Sequence, residues 1–412
     1  MMKFLKHFKA LKLLIMPLLL VAIYFLYNVC KIIIHQEKVG KSLPNKFRIE
    51  YPLVIDHKGY FSITGQINHS NNMEFIIDTK ATCLAKEDDI ENLNANYNGK
   101  FPIALKNAYG QKQKLSLYYF DNFALPPLSF DKPVFYSIPK SNHLYDMMYK
   151  NVLGVNILKH LFWKFSIDEN KIILFSSKDT LLRKKETDEF IKIKDGLRKN
   201  NLTISIHAFD KQKNFTLDLG FLGEISINNE CFKLLSKEFS YQKILTARAS
   251  TIDTTYVFEN VGIKFDQFFV PNCQITYIPK INQNLIGARF MYRFNFILGY
   301  DYYNGKKSHD DLYIKPIENF QNFNSMPYVS SFGFSINKLN NNFVISNIKI
   351  GSIAELANLK IGDKIGCIDS GNFKINDSTV NKDLFLYLAT KKSCKLSIER
   401  DLKKITIDLH KN

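Results

Sequence analysis

The sequence predicts a mainly β chain: two related lobes, preceded by one membrane-crossing helix and followed by a smaller β unit with two helices. Three observations carry this. First, Phe75-Ile76-Ile77-Asp78-Thr79-Lys80 and Phe215-Thr216-Leu217-Asp218-Leu219-Gly220 are both apolar strand-like runs ending in a carboxylate and a tight turn. Second, Val152-Leu153-Gly154 and Leu285-Ile286-Gly287 repeat at almost the same interval, each leading into a short helix and a closing hairpin. Third, after Pro316 the composition shifts to Asn and Ser and a new strand pattern begins near Pro327.

Residues 1–35 hold a cytoplasmic tip and a signal-anchor. Leu13 to Cys30 is uncharged and apolar, enough for about 27 Å of helix. Lys3, Lys6, Lys9 and Lys12 precede it, which orients the N-terminus toward the cytoplasm and puts the bulk of the chain on the periplasmic or extracellular side. No small-x-small cleavage site follows, so a tether is favoured over a removed secretion signal.

The formal charge of +17 raises nucleic-acid binding as a possibility. Outside the N-terminus, however, the lysines are scattered among Asn and Asp, with no basic helix or aromatic-basic module to track a phosphate backbone. The six cysteines form no Cys-x-x-Cys pair and the nine histidines no HExxH spacing, so neither a metal nor a cofactor is expected.

Residues 48–177 form the first lobe. Tyr51–Ile55, Gly59–Ile67 and Phe75–Ile77 read as strands, Leu115–Phe120 and Pro133–Ile138 as later ones, and Phe165–Phe175 as a hairpin turning at Asp168–Lys171. Tyr109-Gly110, between two strand-like runs, stands where a substrate-covering flap would be. Lys178–Glu189 is highly charged and reads as a linker. Residues 190–317 repeat the pattern as the second lobe. Residues 327–411 complete the chain with strands at Phe332–Lys338, Phe343–Ile348, Lys395–Glu399 and Ile405–Leu409, and a helix over Asn381–Thr390.

These lobes resemble the pepsin and retropepsin clan of aspartic proteases, in which the Asp ends a hydrophobic strand as D-T/S-G and an aliphatic-aliphatic-Gly segment packs beside it. Gly351-Ser352-Ile353-Ala354 through Leu359 to Gly362-Asp363-Lys364-Ile365 resembles the G-S-P-A…A-G-L…G-D-x-I run of PDZ domains, with Ile353 for Pro and Asn358 for Gly. The whole layout is similar to bacterial aspartyl protease family proteins carrying a C-terminal PDZ domain. The resemblance implies a membrane-anchored endopeptidase in which Asp78 and Asp218 share a proton and activate water, supported by Thr79, Lys80, Gly220, Gly154 and Gly287. It also implies that Phe332, Gly333, Phe334, Ser335 and Ile336 bind the C-termini of peptides, by a loop of backbone N–H groups and an added strand. The expected partners are thus a protein or peptide substrate, peptide C-termini and the lipid membrane.

Two positions depart from the pattern. Lys80 stands where the first lobe should have glycine, and Leu219 where the second should have a hydroxyl. Leu219 cannot donate the cross-linking hydrogen bond, and Lys80 brings a Cβ and an ammonium. The sequence therefore leaves two functions open: an active endopeptidase, and a degenerate pseudo-protease that scaffolds peptides in the cell envelope.

Overall fold

A computed structural model describes residues 16–24, 26–27, 30, 39, 42–56, 58–91, 93, 103–106, 112–142, 145, 148, 150–176, 178–193, 201–206, 213–248, 251–299, 311–323, 325–339, 342–376 and 381–411. The chain is mainly β. Residues 16–24 are helical, but no helix among the described residues is long and apolar enough to cross a membrane. Residues 13–15, 25, 28 and 29 of the stretch expected to do so, and the flap position Tyr109-Gly110, lie outside the described residues.

The two halves have the same strand order. In the first, the sheet runs Phe61–Ile67, Met73–Ile77, Asn151–Leu153, Leu84–Lys86, Val134–Ile138, Lys112–Tyr119 and Ile103–Lys106. In the second it runs Asn201–Ile206, Lys213–Asp218, Leu285–Gly287, Ile225–Ile227, Phe268–Tyr277, Thr251–Phe265 and Gln242–Arg248. The strand leading into each Asp pairs in parallel with the strand carrying the matched glycine motif: Ile77 lies opposite Leu153, and Asp218 opposite Gly287. Parallel neighbours need a long crossover, which is why sequence-distant motifs end up side by side.

The closing hairpins of the two halves merge into a six-stranded sheet, joined where Phe162–Ser166 runs antiparallel to Phe294–Gly299. Phe165 of the first half and Phe296 of the second stack with centroids 4.4 Å apart, and Phe61 packs on both. These rings belong to one buried core that spans both halves. Burying a Phe stabilises by on the order of 2 kcal/mol, so this junction is a continuous hydrophobic core and not a hinge.

Lys178–Glu189 is not a linker. Thr180–Thr187 is a helix, capped where the Asp179 carboxylate accepts from the Leu182 N–H at 3.0 Å. One of its charges is turned inward: Glu186, buried, accepts from Arg48 Nε (2.5 Å) and Lys164 Nζ (2.8 Å), and Leu182 packs beside Phe162, Ile173 and Phe175. That paired carboxylate, among exposed lysines, made a packed helix look like a solvated run.

The third unit has its own core, from Phe332 to Leu409. Its strands include Phe334–Leu339, Asn342–Lys349, Lys364–Ile368, Ser393–Arg400 and Lys403–His410, with helices Ile353–Leu356 and Lys382–Ala389. It is joined to the second lobe twice. Asn342–Lys349 pairs antiparallel with Gln242–Arg248 through Lys349, Ile348 and Asn347, extending the lobe's sheet. The segment entering the unit is held by a buried ion pair: Arg293 meets Glu224 at 3.1 Å, the Ser325 hydroxyl donates to Glu224, and Arg293 also donates to Phe323 O. Both ions are almost wholly buried, and these hydrogen bonds offset their desolvation.

Candidate active site

Each Asp sits on a loop built from local backbone bonds. Asp78 N–H donates to Leu153 O (3.0 Å), and the Asp78 carboxylate accepts from the N–H groups of Lys80 (2.8 Å) and Ala81 (2.9 Å). In the second lobe the Phe221 N–H donates to Asp218 O (3.0 Å), and the N–H groups of Gly220 and Phe221 favour the ionised Asp218 carboxylate. Behind each loop, the residue after the matched glycine donates to it: Val155 N–H to Ala81 O and Ala288 N–H to Phe221 O, both at 2.9 Å. A Cβ at Gly154 would lie 2.4 Å from Ala81 O, and one at Gly287 would lie 2.5 Å from Phe221 O. Close approach explains both glycines.

The two loops meet. Thr79, buried, donates its hydroxyl to Leu217 O (2.9 Å) and accepts from Leu219 N–H (3.1 Å). One hydroxyl therefore makes two hydrogen bonds from the first lobe into the second. The reciprocal pair from position 219 is absent, and the Leu219 side chain is fully buried in the shared core instead.

Gly220 leaves room for Asp78. A Cβ there would stand 2.1 Å from Asp78 Oδ2, so the first lobe's carboxylate rests against the second lobe's glycine. Neither residue 220 nor residue 80 has a positive φ, so glycine is needed at 220 for space and not for conformation. The Cβ of Lys80 therefore carries no positive-φ strain. Instead the Lys80 side chain, about one-third exposed, crosses to the other lobe, where Nζ lies 3.7 Å from Asp218 Oδ2 and donates to Gln283 Oε1.

The carboxylates titrate as an interacting pair. Burial, and next the charge of Asp78, push Asp218 up to about 7, while Lys80 and the loop N–H groups pull the other way. Asp78 is also raised by burial, against the pull of the Lys80 and Ala81 N–H groups and the Lys80 ammonium. Tyr60 completes the surroundings: burial raises its phenol, and the charges of Asp78, Asp56 and Asp218 add to this. The Asp56 carboxylate accepts from the N–H groups of Lys58, Gly59 and Tyr60 (2.9, 2.9 and 3.0 Å), forming the turn that presents Tyr60, and the Tyr292 hydroxyl donates to Gly59 O from the opposite lobe.

Sequence reasoning passed over Tyr60, Gln283 and Arg289. Each is a single residue outside any motif: Gln283 accepts from Lys80 of the other lobe, and Tyr60 and Arg289 lie near the junction of the lobes. Among the described residues no group of acidic, His or Cys side chains could hold a metal ion.

In the third unit, Phe332, Gly333, Phe334, Ser335 and Ile336 begin the strand Phe334–Leu339, and Gly333 has φ +91°. The loop's donors are turned inward. Gly333 N–H donates to Ser330 O (2.8 Å), Phe334 N–H to Ser330 Oγ (3.4 Å), and Ile336 N–H to the Asn381 side chain (3.2 Å).

No protein-family model matches the chain, and no curated protein matches it. Among solved structures, the chain is similar to a retropepsin-like aspartic protease from Rickettsia conorii, at 15% identity and a TM-score of 0.24, over 32% of this chain and 94% of that one. It is also similar to conglutin gamma, a basic 7S globulin from lupine seeds, at 8% identity and a TM-score of 0.35, over 66% of this chain and 95% of that one.

Proposed function

We propose that the cleft between the lobes is an aspartic-type endopeptidase site, in which Asp78 and Asp218 hold one proton between them and activate a water against a peptide carbonyl. The observation that carries this reading is the Asp78 carboxylate seated on Gly220 while Thr79 bridges the two loops. Two acids so placed cannot ionise independently. The ionised one takes a proton from water, and the protonated one donates a hydrogen bond to the carbonyl. With Asp218 near 7, the singly protonated pair extends toward neutral pH and is lost above it.

A second reading, a cleft that binds peptides without cutting, is favoured by the Lys80 ammonium 3.7 Å from Asp218 Oδ2, which stabilises the doubly ionised state. On either reading the third unit binds peptide C-termini along Phe334–Leu339, once Ser330 and Asn381 release the donors they occupy. The segment Leu13–Cys30 tethers the chain to a membrane and places the lobes in the envelope, which retention in the membrane fraction after alkaline washing tests.

The test is digestion of a proteome-derived peptide library from pH 3 to 8, with free or amidated C-termini. Cleavage falling at least a thousandfold in both Asp78→Asn and Asp218→Asn is expected of the endopeptidase. Unchanged cleavage in both variants sinks the dyad assignment. Absence of cleavage in the wild type with recovery in Lys80→Gly establishes the pseudo-protease. Equal retention of free and amidated C-termini removes the third unit's proposed ligand.

A further inference from the structure

Arg289 and Asn156 occupy matching positions, two residues past Gly287 and Gly154, yet they do different things. Asn156 is buried and committed to its own lobe: its Oδ1 accepts from Cys83 N–H (2.8 Å) and its Nδ2 donates to Val134 O (2.7 Å). Arg289 is half-buried on the short helix Ala288–Met291 and forms no ion pair or hydrogen bond with another described residue. Arg293, one turn on, shows how this lobe treats a cation that holds the fold together, for it is fully buried against Glu224.

Arg289 instead faces the other lobe. Its Nε lies 4.0 Å from the Cβ position of Gly59, in the turn that presents Tyr60, and beside Tyr292, whose hydroxyl closes the same contact. Tyr60 follows Gly59 directly, and the charge of Arg289 opposes those of Asp78, Asp56 and Asp218 at its phenol, so the cation lies where the two lobes meet. A guanidinium is always charged, and its planar fork matches a carboxylate in a bidentate pair.

We propose that Arg289 is a specificity-determining residue of the cleft, taking the side-chain carboxylate of an Asp or Glu in a bound peptide. This rests on the cleft being a peptide site but not on its cutting. A peptide residue carrying the matching amide leaves the guanidinium without its counter-charge, so selectivity of about tenfold for acid over amide is expected.

The experiment uses proteome-derived peptides with side-chain carboxylates intact or blocked by amidation, presented to the wild type, Arg289→Met and Arg289→Lys. Cleavage-site preference is read by mass spectrometry. Peptide retention is read on the Asp78→Asn, Asp218→Asn double variant, with and without Arg289→Met. The expected result is enrichment of Asp and Glu at one fixed position, lost in Arg289→Met and partly kept in Arg289→Lys, at unchanged melting temperature. Retention that depends on carboxylates and on Arg289, without cleavage by the wild type, upholds this site and overturns catalysis. Cleavage or retention indifferent to acid against amide, or a preference that survives Arg289→Met, overturns the assignment. Neither cleavage nor retention overturns both readings together.

Discussion

The two Asp loops share a fold and contribute unequally to the site. The first gives Thr79, whose one hydroxyl supplies both hydrogen bonds between the loops, and Lys80, whose ammonium reaches the far carboxylate. The second gives Leu219, which fills core, and Gly220, which makes room for Asp78. In a symmetric site each loop would grip the other and each would leave room. Here the bond is made from one side and the space is left on the other. The bridge and the space are thus each kept once, on opposite lobes.

Three changes break or sharpen this contrast. Gly220→Ala has the largest expected effect, because a Cβ 2.1 Å from Asp78 Oδ2 must drive the carboxylate away. Overpacking of this kind costs about 3 kcal/mol, and we expect dyad-dependent turnover to fall at least a hundredfold. Lys80→Ala, at the matching position, should leave stability within about 0.5 kcal/mol. Equal losses in urea melts of the two variants would end the asymmetry.

Asp218→Asn comes next, and its sign follows from the raised value. The folded protein holds the Asp218 proton more tightly than the unfolded chain, so this contribution to stability is fully present below about 4, the unfolded value, and is lost as pH rises through about 7. The neutral amide should remove that downward slope and leave the variant more stable than the wild type at pH 8, by on the order of 3 kcal/mol. Parallel melting-temperature profiles from pH 4 to 8 would refute it.

Thr79→Val is the smallest. It keeps the shape but leaves Leu217 O and Leu219 N–H without the bridging hydroxyl, a cost of about 2 kcal/mol by chemical denaturation. Leu219→Thr should not restore it in that variant, since the Thr79 contacts run to the backbone of residues 217 and 219 and not to the 219 side chain.

The sequence carried the outline of this site because Asp78, Asp218, Gly154 and Gly287 each end a recognisable apolar run, and the runs repeat in order. What it concealed came from contacts between distant segments. Glu186 is paired by Arg48 and Lys164, so its helix read as a linker. Gly220 is glycine because of an oxygen in the other lobe, a partner that no local pattern names. For Lys80 the sequence offered a Cβ and an ammonium without a direction; its backbone is ordinary, and the ammonium turns toward Asp218. Arg289 and Tyr60 carry no motif at all.

The strand Gln242–Arg248 ends the second lobe's sheet, and its free side is covered over residues 244–246 by the third unit's strand Asn342–Lys349. An open strand edge with Ile244 and Leu245 on it is a template on which another chain can polymerise. The downstream unit thus covers that edge, and a chain stopping before residue 327 would leave its backbone donors and acceptors over residues 244–246 open to solvent or another strand.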